Sequence, residues 1–451
     1  MIHKYKLNKF NIVLDVNTGL VYKFDDIAFD ILDAFDENGN FNEEKLANIA
    51  KGYSDELVSV ALLEIKNLIS QNLIFSRDNY DYDFIISKYK PVIKSMCLNV
   101  SHDCNLKCRY CFASHGNFGG RSSLMSLETA CMAIDFLIKK SSGRKKIEID
   151  FFGGEPLINF SVIKQTVEYA EKKAQENSKN IKFTITTNGL LLDDEKISFI
   201  NKKFSNIVLS LDGRRNINDY MRQRLDGSGT YDILIPKFKK LIKQRNGKNY
   251  YIRGTFTRKN LDFLEDLLEI HNLGFDQISL EPVLLEESID YAIKNKDLSI
   301  IFSEYEKMAE FIINLKKKGT NINFFHFMLK NINSPCVIKR IKGCGCGSEY
   351  IAITPEGDIF PCHQFVGINK FNLGNLHKNS EKIDNFFGFE TPNILSSTKC
   401  QACWAKFFCG GGCRANNWNF NKNLNYPYEI SCYLEKKRIE CSLMIKAALA
   451  N

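Results

Sequence analysis

Between residues 94 and 318 the chain repeats one pattern six times: a short β-rich run, then a stretch with helical spacing. The runs are KSMCLNV (94–100), KIEIDFF (146–152), IKFTITT (181–187), NIVLSLD (206–212), YYIRGTF (250–256) and DQISLEPV (276–283). Between them apolar residues recur three and four apart, as at Ile134, Leu137 and Ile138. Strands joined through helices pair in parallel with right-handed crossovers, so six such units predict an α/β barrel or partial barrel. In that architecture chemistry collects beyond the carboxyl ends of the strands. The unusual segments fall there: SHDCNLKCRYC, GGEP, TTNG, SLDG, RGTFT and EPV end or follow the six runs in turn.

The flanks differ from this core. Residues 1–83 predict a small α+β module: FNIVLDV and LVYKF flank Asn17-Thr18-Gly19 like a hairpin, and helical stretches follow near 25–35, 42–51 and 54–71. The polar SRDNYDYD at 76–83 resembles a linker, which sets the expected domains at 1–83, 84–320 and 321–451. After residue 330 the alternation gives way to glycine and cysteine, with little sign of an apolar core, so bound metal is expected to supply the missing stabilisation.

The 451 residues carry a formal charge of +8, dispersed in clusters such as Arg144-Lys145-Lys146 and Lys316-Lys317-Lys318 that read as solvated faces rather than a nucleic-acid site. The N-terminus has no apolar targeting segment, and no run approaches the roughly 18 apolar residues that span a bilayer. The expected location is cytoplasmic, without a membrane or nucleic-acid partner. Fifteen cysteines in a reducing compartment do not suggest disulfides, and twelve of them gather at 104–111 and 336–432. Cys97, Cys131 and Cys441 lie in apolar contexts and read as packed core thiols.

Cys104, Cys108 and Cys111 follow the spacing Cys-x3-Cys-x2-Cys in one tight loop after the first strand. Structural zinc requires four protein ligands, so three thiolates point to a metal group with one position kept for something else. A zinc loop completed by His102 or His115 would leave the other strand-end motifs unexplained. The loop resembles that of the radical S-adenosylmethionine (SAM) superfamily. That resemblance implies a [4Fe-4S] cluster on the three cysteines, with the amino and carboxylate groups of SAM on the fourth iron. It also implies SAM-binding roles for Tyr110, for Gly153, Gly154 and Glu155 ahead of Pro156, and for Thr187, Asn188, Ser210 and Asp212 near the ribose. Arg253, preferred over Arg222, would pair with the SAM carboxylate as a fork.

The C-terminal cysteines repeat a second pattern: Cys400-x2-Cys403-x5-Cys409-x3-Cys413, then Cys432, with Cys344, Gly357 and Cys362 upstream. This resembles the SPASM domain and implies two auxiliary [4Fe-4S] clusters, making three in all. Cys400, Cys403, Cys409 and Cys432 would hold the distal one, and Cys344, Cys362 and Cys413 the nearer one. Its fourth position falls to Cys336, to Cys346 or to no residue of the chain. All-thiolate sites also suit zinc.

Nearly the whole chain is similar to the SCIFF-type, or ranthipeptide, maturases, most specifically in NIVLDVNTG, DCNLKCRYCFASHGNFGG and GCGCGSEYIAITPEGDIFPCHQFVG. The resemblance implies a partial (β/α)6 TIM-like barrel, an N-terminal winged-helix-like recognition module that takes a leader peptide as an added strand, and a C-terminal SPASM domain. It implies that a radical derived from SAM abstracts a side-chain hydrogen from a Cys-rich precursor peptide, whose cysteine sulfur then bonds to that carbon. An electron donor such as flavodoxin or ferredoxin would be a further partner. His363, where related sulfatase-maturing enzymes carry aspartate, is a candidate base. The alternatives are α-carbon thioethers of the sactipeptide kind, carbon-carbon crosslinks, or a non-catalytic zinc protein that binds peptide.

Overall fold

A computed structural model describes residues 1–329, 340–378, 389 and 393–450, the side chains of 393 and 396 excepted. The N-terminal module opens with three antiparallel strands, β1 (Ile2–Leu7), β2 (Phe10–Asp15) and β3 (Val21–Phe24), in the order β1-β2-β3. Helices α1 (Asp26–Ile31), α2 (Glu43–Ala50) and α3 (Asp55–Ser70) follow, where the sequence predicts them. Each begins at a residue whose side chain caps a backbone N–H: Asp25, Asn42 and Ser54. The predicted β2–β3 hairpin is present, and β1 adds a third strand outside it.

Both faces of β2 are covered. Val13 packs with Phe29 and Ile65 in the module's own core, whereas Ile12 and Leu14 pack with Ile341, Phe407 and Leu443 of the C-terminal region. The 76–83 segment, read above as a linker, is tied down at its start: the fully buried Asp15 carboxylate accepts from the backbone N–H and hydroxyl of both Thr18 and Ser76.

The short helix α4 (Tyr82–Lys88) leads into the barrel strands β4 (Ser95–Ser101), β6 (Lys146–Gly153), β7 (Asn180–Thr187), β8 (Asn206–Ser210), β10 (Asn249–Phe256) and β11 (Gln277–Pro282). They correspond to the six predicted runs and pair in parallel, in chain order. Crossover helices α5 (Leu127–Lys140), α6 (Phe160–Glu176), α7 (Asp194–Lys203), α9 (Tyr231–Gln244), α10 (Phe263–Asn272) and α11 (Leu298–Lys317) cover the outer face. Alternation along each strand divides the faces. Ile149, Phe151, Ile185, Leu209, Ile252 and Ile278 pack under the helices, while Asp150, Ser210, Arg253 and Ser279 occupy the opposite positions. A separate antiparallel ribbon joins β5 (Leu106–Cys108) to β9 (Arg222–Arg224) after helix α8 (Arg215–Met221).

The sheet is wider than the six predicted runs. Strand β12 (Asn323–Phe324) extends it beyond β11, and β13 (Tyr350–Ile353) adds in parallel to β4, followed by β14 (Asp358–Phe360) and β15 (Gly374–Asn375). Helices α12 (Thr398–Gln401), α13 (Lys406–Cys409), α14 (Arg414–Asn421) and α15 (Glu429–Leu449) complete the chain. The expected lack of an apolar core after residue 330 does not hold. Phe360, Phe365, Phe371, Phe389 and Ala415 form one, with Trp418 against it. Its aromatics are spread over loops and short turns, so no periodicity announces them.

Asp15 links the module's turn to the start of the following segment through hydrogen bonds from Thr18 and Ser76. Asp15→Ala leaves the buried hydroxyl and N–H of Ser76 and the half-buried hydroxyl and N–H of Thr18 short of an acceptor, and is expected to destabilise the protein by about 1–3 kcal/mol in thermal or urea denaturation.

Candidate active site and auxiliary cysteine groups

The loop that carries Cys104, Cys108 and Cys111 is held by contacts that only glycine permits. A Cβ on Gly153, whose φ is +141°, would lie 2.2 Å from Ser101 O, and one on Gly154 would lie 2.3 Å from Asp103 O. Gly116, with φ +107°, closes the loop from the other side, where a Cβ would meet Cys104 Cβ at 2.8 Å. Sequence reasoning passed over Gly116; the only signal was a glycine shortly after the third cysteine.

The neighbouring strand ends are cross-tied. Glu155 is fully buried, and its carboxylate accepts from Leu157 N (3.0 Å), Thr187 Oγ1 (2.7 Å) and Asn188 N (2.7 Å). Burial raises its pKa, opposed by these hydrogen bonds. Thr187 is thereby occupied with Glu155 and Gly189 N, while Asn188 Nδ2 donates to Asn105 Oδ1 at 2.8 Å and lies 3.9 Å from Cys104 Sγ. Glu155, Thr187 and Asn188 thus lock the ends of β6 and β7 to the cysteine loop.

Across the loop, Tyr110 donates its hydroxyl to Asp212 (2.7 Å) and accepts from Arg222 Nη1 (2.8 Å). Asp212 also accepts from Thr255 N at 3.0 Å, and burial raises its pKa to about 6 against the pull of Arg222. Arg222 is 8 % exposed, pairs opposite Cys108 in the β5–β9 ribbon, and has a buried Nε with no partner. Arg253 stands elsewhere, beside Ser210 and Ser279 in strand register, with its side chain exposed. Its charge acts on His363 and Glu281. Arg222 is therefore a buried guanidinium against the cysteine loop, whereas Arg109 within the loop donates its Nε to Tyr220 O.

Cys362 and His363 follow β14 and come to the same mouth. The His363 ring centroid lies 5.2 Å from that of Phe152 and 5.7 Å from that of Phe112, the residue after Cys111. Its Nδ1 is 3.2 Å from the Tyr350 hydroxyl. Burial, and then Arg253, lower the His363 pKa to about 4, so the ring is neutral at pH 7. Phe112 and Phe152, not singled out from the sequence, form the aromatic wall between the two cysteine segments.

The remaining thiols form two groups. Cys344, Cys346, Cys362 and Cys413 lie close enough to influence one another's ionisation, and Cys346 Sγ donates to the carbonyl of Pro361, the residue before Cys362, at 3.5 Å. Cys346 is thus a candidate fourth member of this group; Cys336 lies outside the described residues. Cys400, Cys409 and Cys432 interact likewise, and Cys400 and Cys432 each also sense Cys403. Cys97 and Cys441 are buried core thiols as expected, whereas Cys131 is partly exposed on α5.

The residues present fit iron-sulfur clusters. Among the described residues no three His, Cys, Asp or Glu side chains converge to hold a single metal ion. The donor set carries the fit: the grouped side chains are all thiols, which suit iron-sulfur clusters and also suit zinc. Burial raises the thiol of Cys104 to about 12 and that of Cys108 to about 11, so loading releases protons, and the cation of Arg222 favours the Cys108 thiolate.

Comparison with known proteins agrees. The radical SAM superfamily profile matches residues 98–269, and that of the SPASM iron-sulfur cluster-binding domain matches residues 344–404. The chain carries a radical SAM domain followed by a SPASM domain. It is 29% identical over 323 residues to an uncharacterized protein of Methanocaldococcus jannaschii, covering 70% of this chain and 96% of that one. It is 24% identical to the radical SAM cyclopropyl synthase TigE of Paramaledivibacter caminithermalis, covering 76% and 72%. It is 25% identical to the subtilosin biosynthesis protein AlbA of Bacillus subtilis, covering 74% and 69%. The fold matches anSMEcpe with bound AdoMet (TM-score 0.64, 22% identity, 79% of this chain and 100% of that one). It also matches Streptococcus suis SuiB bound to precursor peptide SuiA (TM-score 0.55, 18% identity, 96% and 98%). No helix among the described residues is long and apolar enough to cross a membrane.

Gly153→Ala forces the Ser101 carbonyl away from β6 and opens the cysteine loop. It is expected to weaken SAM binding at least about tenfold, as measured by equilibrium dialysis on the iron-loaded protein.

Proposed function

We propose that the chain is a radical SAM peptide maturase that installs thioether crosslinks between cysteine sulfur and side-chain carbon in a ribosomally made, Cys-rich precursor. The observation that carries this reading is the shared mouth: Cys111-Phe112 and Cys362-His363 face one another across Phe152. A substrate side chain entering there meets the SAM-binding loop on one side and an auxiliary cysteine group on the other. Relatives named for subtilosin biosynthesis (AlbA), cyclopropyl synthesis (TigE) and sulfatase maturation support the coarser reading of a radical SAM maturase.

A [4Fe-4S] cluster held by Cys104, Cys108 and Cys111 would supply the electron that splits SAM into methionine and a 5'-deoxyadenosyl radical able to take a hydrogen from the peptide. The protein's part is holding and exclusion. Gly153 and Gly154 would let the methionine portion approach the backbone, Arg222 would pair with its carboxylate, and Ser210 and Asn188 are the candidate ribose contacts. Phe112 and Phe152 line the mouth with apolar surface that limits water. His363 is neutral beside the path of the substrate thiol, where its lowered pKa makes it a weak proton acceptor, and Arg253 is a cation for the peptide or the SAM carboxylate. Flavodoxin or ferredoxin would supply electrons.

Recognition of a leader is assigned to the N-terminal module. Strand β3 has no strand partner on its outer side among the described residues, and α3 exposes Leu57, Val60 and Leu63, the last at 70 %. Replacing both Val60 and Leu63 with aspartate is expected to weaken binding of the full-length precursor at least about tenfold by calorimetry while uncoupled SAM cleavage persists.

The central test pairs metal content with product. Anaerobic reconstitution should give about twelve irons per chain for three cubanes, and the triple variant Cys104→Ala, Cys108→Ala, Cys111→Ala should lose about four, together with all 5'-deoxyadenosine formation. Incubation with the Cys-rich peptide encoded beside the gene should remove two hydrogens per crosslink and block one cysteine from alkylation. An intact thiol count with carbon-carbon linkage by tandem mass spectrometry would replace the thioether reading. Retained SAM cleavage in the triple variant would remove the radical SAM mechanism.

A further inference from the structure

Strand β1 reaches the distal cysteine group. The His3 imidazole stacks on the indole of Trp404, with centroids 3.7 Å apart and planes 4° from parallel. Its Nε2 lies 3.1 Å from Glu440 Oε1, so α15 fixes the ring's other edge. Trp404 directly follows Cys403. Two residues along the same face of β1, Tyr5 donates its hydroxyl to Glu440 O at 2.8 Å. Burial, and then Glu440, push its phenol far above the ordinary range.

Strand β2 continues this surface. Ile12 and Leu14 share an apolar cluster with Ala405 and Phe407, and Cys400, Cys403 and Cys409 pack against that same cluster. Ion pairs and hydrogen bonds fasten its rim: Lys406 Nζ to Asp78 (3.3 Å) and Arg340 Nη2 to Asn17 O (3.0 Å). The Arg340 guanidinium also lies over the Phe407 ring, 4.2 Å from its centroid.

We propose that β1 and β2 form one wall of the distal auxiliary cluster site, with His3 as a positioning residue that holds Trp404 over the Cys403 loop. This rests on the reading of Cys400, Cys403, Cys409 and Cys432 as the ligands of that cluster. The residues beyond the ligands control solvent access and dielectric around a cluster, and so its potential and its resistance to oxidative loss. Here that shell comes from the opposite end of the chain. Removing the His3 ring leaves one face of Trp404 without its stacking partner and opens a path for water and oxygen to the cysteine loop. The module that bears the candidate leader-binding edge is therefore also part of a redox site.

The test uses full-length protein reconstituted with iron and sulfide. Iron released to a colorimetric chelator after exposure to air is followed in time, alongside the electron paramagnetic resonance spectrum of the reduced protein. His3→Ala is expected to speed the loss of one cluster's iron at least about fivefold and to alter one of the reduced signals, the remaining iron leaving at the wild-type rate. His3→Phe retains a flat ring for Trp404 and should stay within about twofold of wild type. In a Cys400→Ala, Cys403→Ala background, His3→Ala should have no further effect. Ile65→Ala loosens the module's own core without touching the wall, and controls for general destabilisation. Wild-type iron loss and an unchanged spectrum in His3→Ala overturn the proposal, as does equal acceleration by Ile65→Ala. Wild-type protein that loads only the barrel cluster overturns the distal-cluster reading itself, and the wall with it.

Discussion

Three packing surfaces meet on helix α15, and the rest of the architecture depends on its being covered on all of them. Leu434, Cys441 and Met444 join the barrel core, whereas Ile439 and Leu443 join the cluster shared with β2. Cys432 near its start belongs to the distal thiol group. On its barrel side Arg438 lies 3.0 Å from His326 Nδ1, 3.6 Å from Glu281 and 2.7 Å from Glu435. A guanidinium buried that deeply is tolerated because carboxylates surround it. Burial would raise the Glu281 pKa, but the charges of His326, Arg438 and Arg253 outweigh it and bring the carboxyl down to about 2. One helix thereby fixes the N-terminal sheet, the barrel and a cysteine group relative to one another.

A second constraint operates at backbone level. The end of β4 and the GGEP turn after β6 approach so closely that Gly153 and Gly154 can carry no side chain. That approach puts the cysteine loop on top of the strand ends, where Glu155, Thr187 and Asn188 brace it. Glu155 and Thr187 take part in holding the loop, while Arg222 keeps an unpartnered Nε and Arg253 is exposed.

Much of this was legible beforehand. The six strands were readable because a half-covered strand followed by an amphipathic helix leaves alternating and 3.6-residue periodicities in the chain, and the cysteine groups because ligand spacing is local. Elements without either signal escaped. Strand β13 is short and gains its meaning from pairing with β4, far away in sequence. The aromatic core around Phe365 and Phe371 has no period, since its members come from turns. Arg222 reaches the loop because β9 pairs with β5 and sets it opposite Cys108, an encounter that no local pattern announces. The 1–83 segment looked separable because its helices and hairpin are complete in themselves, yet Ile12 and Leu14 on β2 face another part of the chain.

The sequence by itself determined the parallel barrel, the three-thiolate loop at the end of its first strand, and the spacing of the C-terminal cysteines. These are local or periodic properties, set by side-chain pattern, glycine freedom and thiol chemistry within a few residues. Only the tertiary structure decided which side chains meet. It brought Cys362 and His363 across from Cys111 and Phe112, set Cys346 beside Cys362, and laid His3 on Trp404. Those encounters join residues that are far apart along the chain or, as with Cys346 and Cys362, separated by a hairpin. Which of them meet depends on how sheets and helices bury their remaining apolar faces against one another, and no periodicity within a single segment encodes that choice.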